Sequence, residues 1–166
     1  MIQWRRAVLG LSLSVAVLVV SGLAGEEKIP VDKLPKAVRE SVLKRFPKGE
    51  LLSAIKEVEK DVTKYEVLLK DDGKEIEVVT DQDGKIEEIE RPIAREKLPE
   101  AVRKTLDKDY PGAKYEDCEE VTTMKDGKEV VSMYEVEIIT KDKKELTIKI
   151  SPEGKIVEIE EEEDEK

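Results

Sequence analysis

Apolar positions recur at helical spacing in two stretches of the chain. Leu34, Ala37, Val38, Ser41, Val42 and Phe46 place small and apolar side chains on one stripe, and Leu98, Ala101, Val102, Thr105, Leu106 and Tyr110 do so again. The stripes predict two helices of about twelve residues, each laid over a sheet. Pro35 and Pro99 suit a first helical turn, where the N–H they lack would have no partner, while Pro47 and Pro111 bias Phe46 and Tyr110 away from helix and end each element. Beyond each helix the period changes to two: Tyr65, Val67 and Leu69, then Tyr134, Val136 and Ile138, point to one face. Strands are expected at residues 51–59, 64–70, 75–80 and 85–89 in the first half and at 115–123, 132–140, 145–150 and 155–159 in the second. Asp71-Asp72-Gly73, Asp81-Gln82-Asp83-Gly84, Asp126-Gly127 and Pro152-Glu153-Gly154 supply hairpin turns too short for a crossover, so the strands should run antiparallel.

The two halves are copies. Leu34-Pro35-Lys36-Ala37-Val38-Arg39 returns as Leu98-Pro99-Glu100-Ala101-Val102-Arg103, and each copy closes on Gly-Lys-Ile, at Gly84 to Ile86 and Gly154 to Ile156. The expected fold class is α+β: two tandem units, residues 29–90 and 94–160, each one helix packed on a four-stranded antiparallel sheet. Arg91-Pro92-Ile93-Ala94-Arg95 reads as a short, stiff hinge between them. Units of about 65 residues bury a marginal share of their surface, so they should lean on each other. The sheet face away from each helix carries Glu66, Lys70, Glu75, Glu77 and Glu87, then Glu135, Glu137, Thr147 and Lys149. Leu68, Val79 and Ile139 interrupt that polar face; cover by the sister unit and contact with a partner both account for them, the first being preferred.

Composition narrows the function. Arg5 and Arg6, an apolar run from Ala7 to Val20 and then Ser21-Gly22-Leu23-Ala24 read as a signal peptide over residues 1–24, cleaved after Ala24. Removing those residues, which hold two arginines and no acid, leaves 142 residues and moves the net charge from −10 to −12. Such a charge repels nucleic acid and anionic lipid, and favours a cationic partner. The almost wholly acidic end, residues 161–166, is expected to form a solvated tail. With one cysteine, Cys118, no internal disulfide can form, and its counterpart in the first copy is Ala54, which favours a small buried group over a reactive thiol. There is no histidine, so the commonest general base and metal ligand are both missing.

Three motifs invite chemistry. Asp81-Gln82-Asp83-Gly84 looks like part of a calcium loop, but it lies between strands and its counterpart, Ser151-Pro152-Glu153-Gly154, has neither aspartate; a hairpin turn explains it better. Glu87-Glu88 and Glu119-Glu120 are read as solvated strand surface rather than acid–base pairs. Serine and threonine nucleophiles lack a base. No residue is therefore assigned a catalytic, cofactor-binding or metal-binding role, and no cofactor is expected.

The ensemble of Leu-Pro-x-Ala-Val, helix, aromatic-Pro stop, strands and closing Gly-Lys-Ile turn resembles the PepSY-like group of small secreted bacterial domains, which is similar to the β-lactamase-inhibitor protein fold. The resemblance covers residues 29–160, twice, and implies a non-catalytic, periplasmic or secreted α+β module whose paired sheets form a joint surface. The expected function is recognition of an extracytoplasmic protein or peptide, including inhibition of a secreted peptidase or other hydrolase. A calcium- or cation-responsive protein and a carboxylate-based hydrolase are the alternatives. No nucleic acid and, once the signal is removed, no membrane is expected as a partner; the sequence leaves the oligomeric state open.

Overall fold

The computed structural model describes residues 25–59 and 61–161. The expected signal peptide and the acidic residues after Glu161 lie outside the described residues. Among these residues nine strands run in chain order: β1 (Gly25–Ile29), β2 (Glu50–Glu59), β3 (Val62–Asp71), β4 (Lys74–Asp81), β5 (Ile86–Pro92), β6 (Lys114–Lys125), β7 (Lys128–Ile139), β8 (Glu145–Ile150) and β9 (Ile156–Glu161). Helix α1 (Lys36–Arg45) follows β1, and α2 (Glu100–Asp109) follows β5, each preceded by one turn of 3-10 helix. The helices are ten residues long and start one residue after Pro35 and Pro99, which cap them.

All nine strands form one antiparallel sheet, each paired with its neighbours in sequence. This corrects the expectation of two units with a four-stranded sheet apiece. The sheet does not stop at the presumed hinge: Arg91 and Pro92 belong to β5 and lie opposite Glu120 and Glu119 of β6. Strand β1 was not foreseen at all.

Both departures have one cause, which is that β5 serves both copies. As the closing strand of the first, it pairs with β4 and sets Ile89 opposite Val78. It also stands where β1 stands in the first copy. Ile29 pairs with Ala54 on β2, and 64 positions later the Ile93 N–H donates to the Cys118 carbonyl at 2.8 Å. A strand that ends one repeat and begins the next leaves no room for a linker.

Cross-strand register shows that both helices cover the same face. Val67, Val78 and Ile89 share that face in the first copy, and Val136 and Ile148 in the second, with Thr122 carrying it across the β5–β6 junction. Val38 and Val42 of α1 pack there with Leu34, Phe46, Tyr65 and Leu69; Val102 and Leu106 of α2 pack with Leu98, Cys118, Ile138 and Ile150. Burial of these apolar groups is the main force holding each helix down. The closing Gly-Lys-Ile turns seat the helices: Gly84 and Gly154 have φ of +81° and +84°, and a Cβ on either would lie 2.4 Å or 2.6 Å from the carbonyl oxygen of Ala37 or Ala101. Only glycine allows that approach.

A second link ties the copies on the helix side. Sixteen positions separate Cys118 from Tyr134, against eleven between the equivalent Ala54 and Tyr65, so the β6–β7 hairpin is five residues longer than β2–β3. The extension brings Glu129 to the end of α1. Its Oε1 accepts from Arg45 Nε at 2.7 Å and its Oε2 from Arg91 Nη2 at 2.8 Å. Both guanidinium groups sit over the Phe46 ring, 5.0 Å and 5.9 Å from its centre.

Candidate functional site

The helix-free face of the sheet is where ionisable side chains gather. Alternation sends every second residue there, and the registers align those residues into rows. One row runs Leu68, Glu77, Glu90, Val121, Met133 across β3 to β7. Another runs Pro92, Glu119, Glu135, Lys149, Glu158 across β5 to β9. Glu66, Val79, Glu88 and Thr123 lie to one side, and Asp117, Glu137, Thr147 and Glu160 to the other. Two pairs of glutamates, Glu77 with Glu90 and Glu119 with Glu135, are thus directly opposed on neighbouring strands, an arrangement that like charges disfavour.

These carboxylates are half-buried. Their neighbours close over the surface enough that Val121 is 1% exposed with neither described helix above it. Loss of hydration, then repulsion from Glu66, a hydrogen bond with it, and repulsion from Glu90 and Glu119, push Glu77 up to about 10. Burial, then Glu135, Glu119 and Glu88, push Glu90 up to about 9. Burial with Asp117, Glu135 and Glu137 brings Glu119 to about 8. Burial also raises Glu135 and Asp117, the latter against the Cys118 N–H that its Oδ1 accepts at 2.7 Å. Within the rows the one lysine is Lys149, paired with Glu158 and Glu160 at 3.2 Å each. Burial pulls its pKa down, but the Glu158 hydrogen bond and the surrounding acids carry it to about 12.

The motifs singled out in the sequence fall in different places. Asp81 Oδ1 accepts the backbone N–H groups of Asp83 at 2.9 Å and Lys85 at 2.8 Å, so it braces a hairpin turn. Among the described residues, no group of three or more cysteine, aspartate and glutamate side chains is arranged to hold a metal ion. Glu87 sits at a register shift and pairs with Lys64 at 3.1 Å, while Glu88 joins the acidic rows. Glu119 and Glu120 point to opposite faces; Glu119, expected to be solvated, is among the half-buried acids. Cys118 is buried in the core of the second copy, where loss of hydration raises its thiol to about 12. Leu68 and Val79 lie among the glutamates rather than beneath the sister unit, which continues the same sheet edge to edge. Glu66, Glu77, Glu135 and Glu137 were expected on this face, whereas Glu90 lies beyond the expected 85–89 strand and Glu119 was read as solvated surface; the oppositions follow from the β4–β5 and β6–β7 registers, which bulges in those ladders shift.

Two shallow hollows are present on the described residues, both away from these rows. One, about 440 Å³, is lined by Arg95, Glu100, Arg103 and Asp107 around α2; the other, about 390 Å³, lies beside Tyr110 and Leu146. No helix among the described residues is long and apolar enough to cross a membrane.

Comparison with known proteins places the chain. In solved structures the fold recurs in a candidate periplasmic protein of Bacteroides eggerthii, with TM-score 0.61 and 12% identity over 76% of this chain and 88% of that one. It recurs in a DUF2874 family protein of Bacteroides uniformis, with TM-score 0.60 and 15% identity over 76% and 88%. A BLIP-like protein of Bacteroides fragilis gives TM-score 0.55 and 17% identity over 80% and 90%. The expected periplasmic or secreted location agrees with the first of these. No curated protein matches the sequence. Residues 24–88 and 81–158 each match the family described as beta-lactamase-inhibitor-like, PepSY-like, and the two matches overlap over residues 81–88, which run into β5, the strand that both copies share. The chain belongs to that PepSY-like family, in two copies.

Proposed function

We propose that the protein is a non-catalytic extracytoplasmic module that recognises another protein or a peptide with the helix-free face of its sheet, inhibition of a secreted hydrolase being the narrower form. The observation that carries this reading is the opposition of Glu77 with Glu90 and of Glu119 with Glu135 on a broad face that neither described helix covers. Opposed carboxyl groups on neighbouring strands hold their protons because their charged forms repel, and a partner that sets lysine or arginine among them stabilises the charged forms in place of those protons. The apolar side chains of Leu68, Val79 and Met133 lie between the acids, giving the mixed surface that protein interfaces use. Similarity to BLIP-like and periplasmic proteins supports the class of function.

The test is crosslinking of the mature protein in an extracytoplasmic extract, run beside a Glu119→Lys/Glu135→Lys variant. A protein captured by the wild type and lost by the variant is the expected result. Identical capture by both removes the face from the function. Raised carboxylates are also what a hydrolase would show, and this second reading has a separate signature: turnover of a glycoside or peptide panel, abolished by Glu77→Gln or Glu90→Gln alone.

A further inference from the structure

The first copy shows what covers its outer flank, and the second copy lacks that cover. On the first, β6 lies along β5: Thr122 faces Ile89, its hydroxyl donates to the Ile89 carbonyl at 3.2 Å, and Arg91 Nη1 donates to Thr122 Oγ1 at 3.1 Å. The β6–β7 hairpin then sets Glu129 between Arg45 and Arg91 above Phe46. Ile89 ends 0% exposed and Phe46 4%.

Strand β9 is the counterpart of β5, and no described strand lies on its outer edge. Ile159, equivalent to Ile89, is 49% exposed, and Tyr110, equivalent to Phe46, borders the 390 Å³ hollow with Leu146. The charges at this flank are reversed. Where the first copy has Arg45 and Arg91, the second has Asp109 and Glu161. Their pairings are local and exposed, Asp109 with Lys108 at 3.4 Å and Glu161 with Lys144 at 2.8 Å, and such pairs exchange at little free-energy cost.

We infer that the β9 edge and the hollow at Tyr110 accept a β-strand or hairpin of a different protein, one that carries a basic side chain where this chain's own β6–β7 hairpin carries Glu129. Strand addition completes the hydrogen bonds of an open edge, and the side chain over the hollow supplies selectivity. A second copy of the chain is a poor occupant, since its Glu129 would meet Asp109 and Glu161 and already serves its own first repeat. Residues 162–166 are a poor occupant too, being four acids and one lysine. This edge adjoins the acidic rows at Glu158 and Glu160, but its test turns on Asp109 and Glu161, so it fails or holds independently of the reading of the helix-free face.

A head-to-tail cyclic peptide copying residues 119–135 is made in two forms, unchanged and Glu129→Lys, and titrated into the mature protein and into an Asp109→Arg/Glu161→Arg variant. The Glu129→Lys peptide should bind wild type at least about tenfold more tightly than the unchanged peptide, with slowed amide exchange at Glu158 to Glu161. The order should reverse with the arginine variant, whose two substitutions are on the surface. Equal affinities for the two peptides, no binding by either, or binding that leaves β9 exchange unchanged overturns the inference.

Discussion

Thr80 is 0% exposed in the core of the first copy, and its hydroxyl has no hydrogen-bond partner among the described residues. A buried hydroxyl without a partner loses its hydration for nothing, and the second copy avoids the loss by placing Ile150 at the equivalent position. Thr80→Val keeps the branched shape and removes the orphaned group, so it should raise stability by about 1–2 kcal/mol, read as a higher urea midpoint with unchanged slope. An unchanged or lower midpoint contradicts this account. Cys118 was legible in the sequence as a small buried group, because its counterpart is Ala54 and both fall on the helix side of a strand. Glu119 was not legible in the same way. A single glutamate in a charged strand looks solvated until the neighbouring strands are known, and it is the registers with Pro92 and Glu135 that enclose it.

At the scale of elements, the helices and most strands were legible because their apolar stripes and glycine turns are local signals. The duplication reinforced each assignment. What was not legible was pairing between copies: Gly25–Ile29 has too few apolar residues to announce a strand, and the sequence around Pro92 reads as a linker although it is the end of β5. A proline at the end of a strand removes one donor from the ladder, so it argues against strand only in isolation. The closing glycines give a sharp test of helix seating. Gly84→Ala and Gly154→Ala must each accommodate a positive φ and a clash with helix backbone, and should destabilise by about 2 kcal/mol or more. Gly73→Ala and Gly127→Ala share the positive φ but meet nothing within 4 Å, so about 1 kcal/mol is expected. Equal losses in thermal melts of all four would mean that the contact with the helix is unimportant. The link between copies is tested by Glu129→Gln, which leaves Arg45 and Arg91 side by side over Phe46 without their shared carboxylate. Stability should fall by about 1–3 kcal/mol, with the loss shrinking in high salt, where the two cations repel each other less.

At the scale of the whole molecule, a single sheet with both helices on one side leaves the other side to charge, and that asymmetry governs how stability depends on pH. Glu77, Glu90 and Glu119 have folded-state pKa values pushed up to about 10, 9 and 8, against about 4.3 for glutamate in an unfolded chain. A raised pKa means that the folded state binds protons more tightly. The stability these groups contribute is full below about pH 4.3 and drains away as pH climbs through 8, 9 and 10. Lys149, raised to about 12, adds a further loss only above its unfolded value near 10.4. Urea midpoints at pH 5, 7 and 9 should therefore fall in that order, and a Glu77→Gln/Glu90→Gln variant should flatten the decline and exceed wild type at pH 9 by about 1 kcal/mol. A midpoint that rises from pH 5 to pH 9 would show that the acids are better hydrated than their burial implies. The same groups make a basic partner compete with protons for this face, because a lysine or arginine set among the glutamates stabilises their charged form. Complex formation at pH 7 should then release protons, so the calorimetric binding enthalpy should vary with the ionisation enthalpy of the buffer for wild type and lose that variation in the Glu77→Gln/Glu90→Gln variant. A buffer-independent enthalpy in both proteins would mean that the partner sits elsewhere on the molecule.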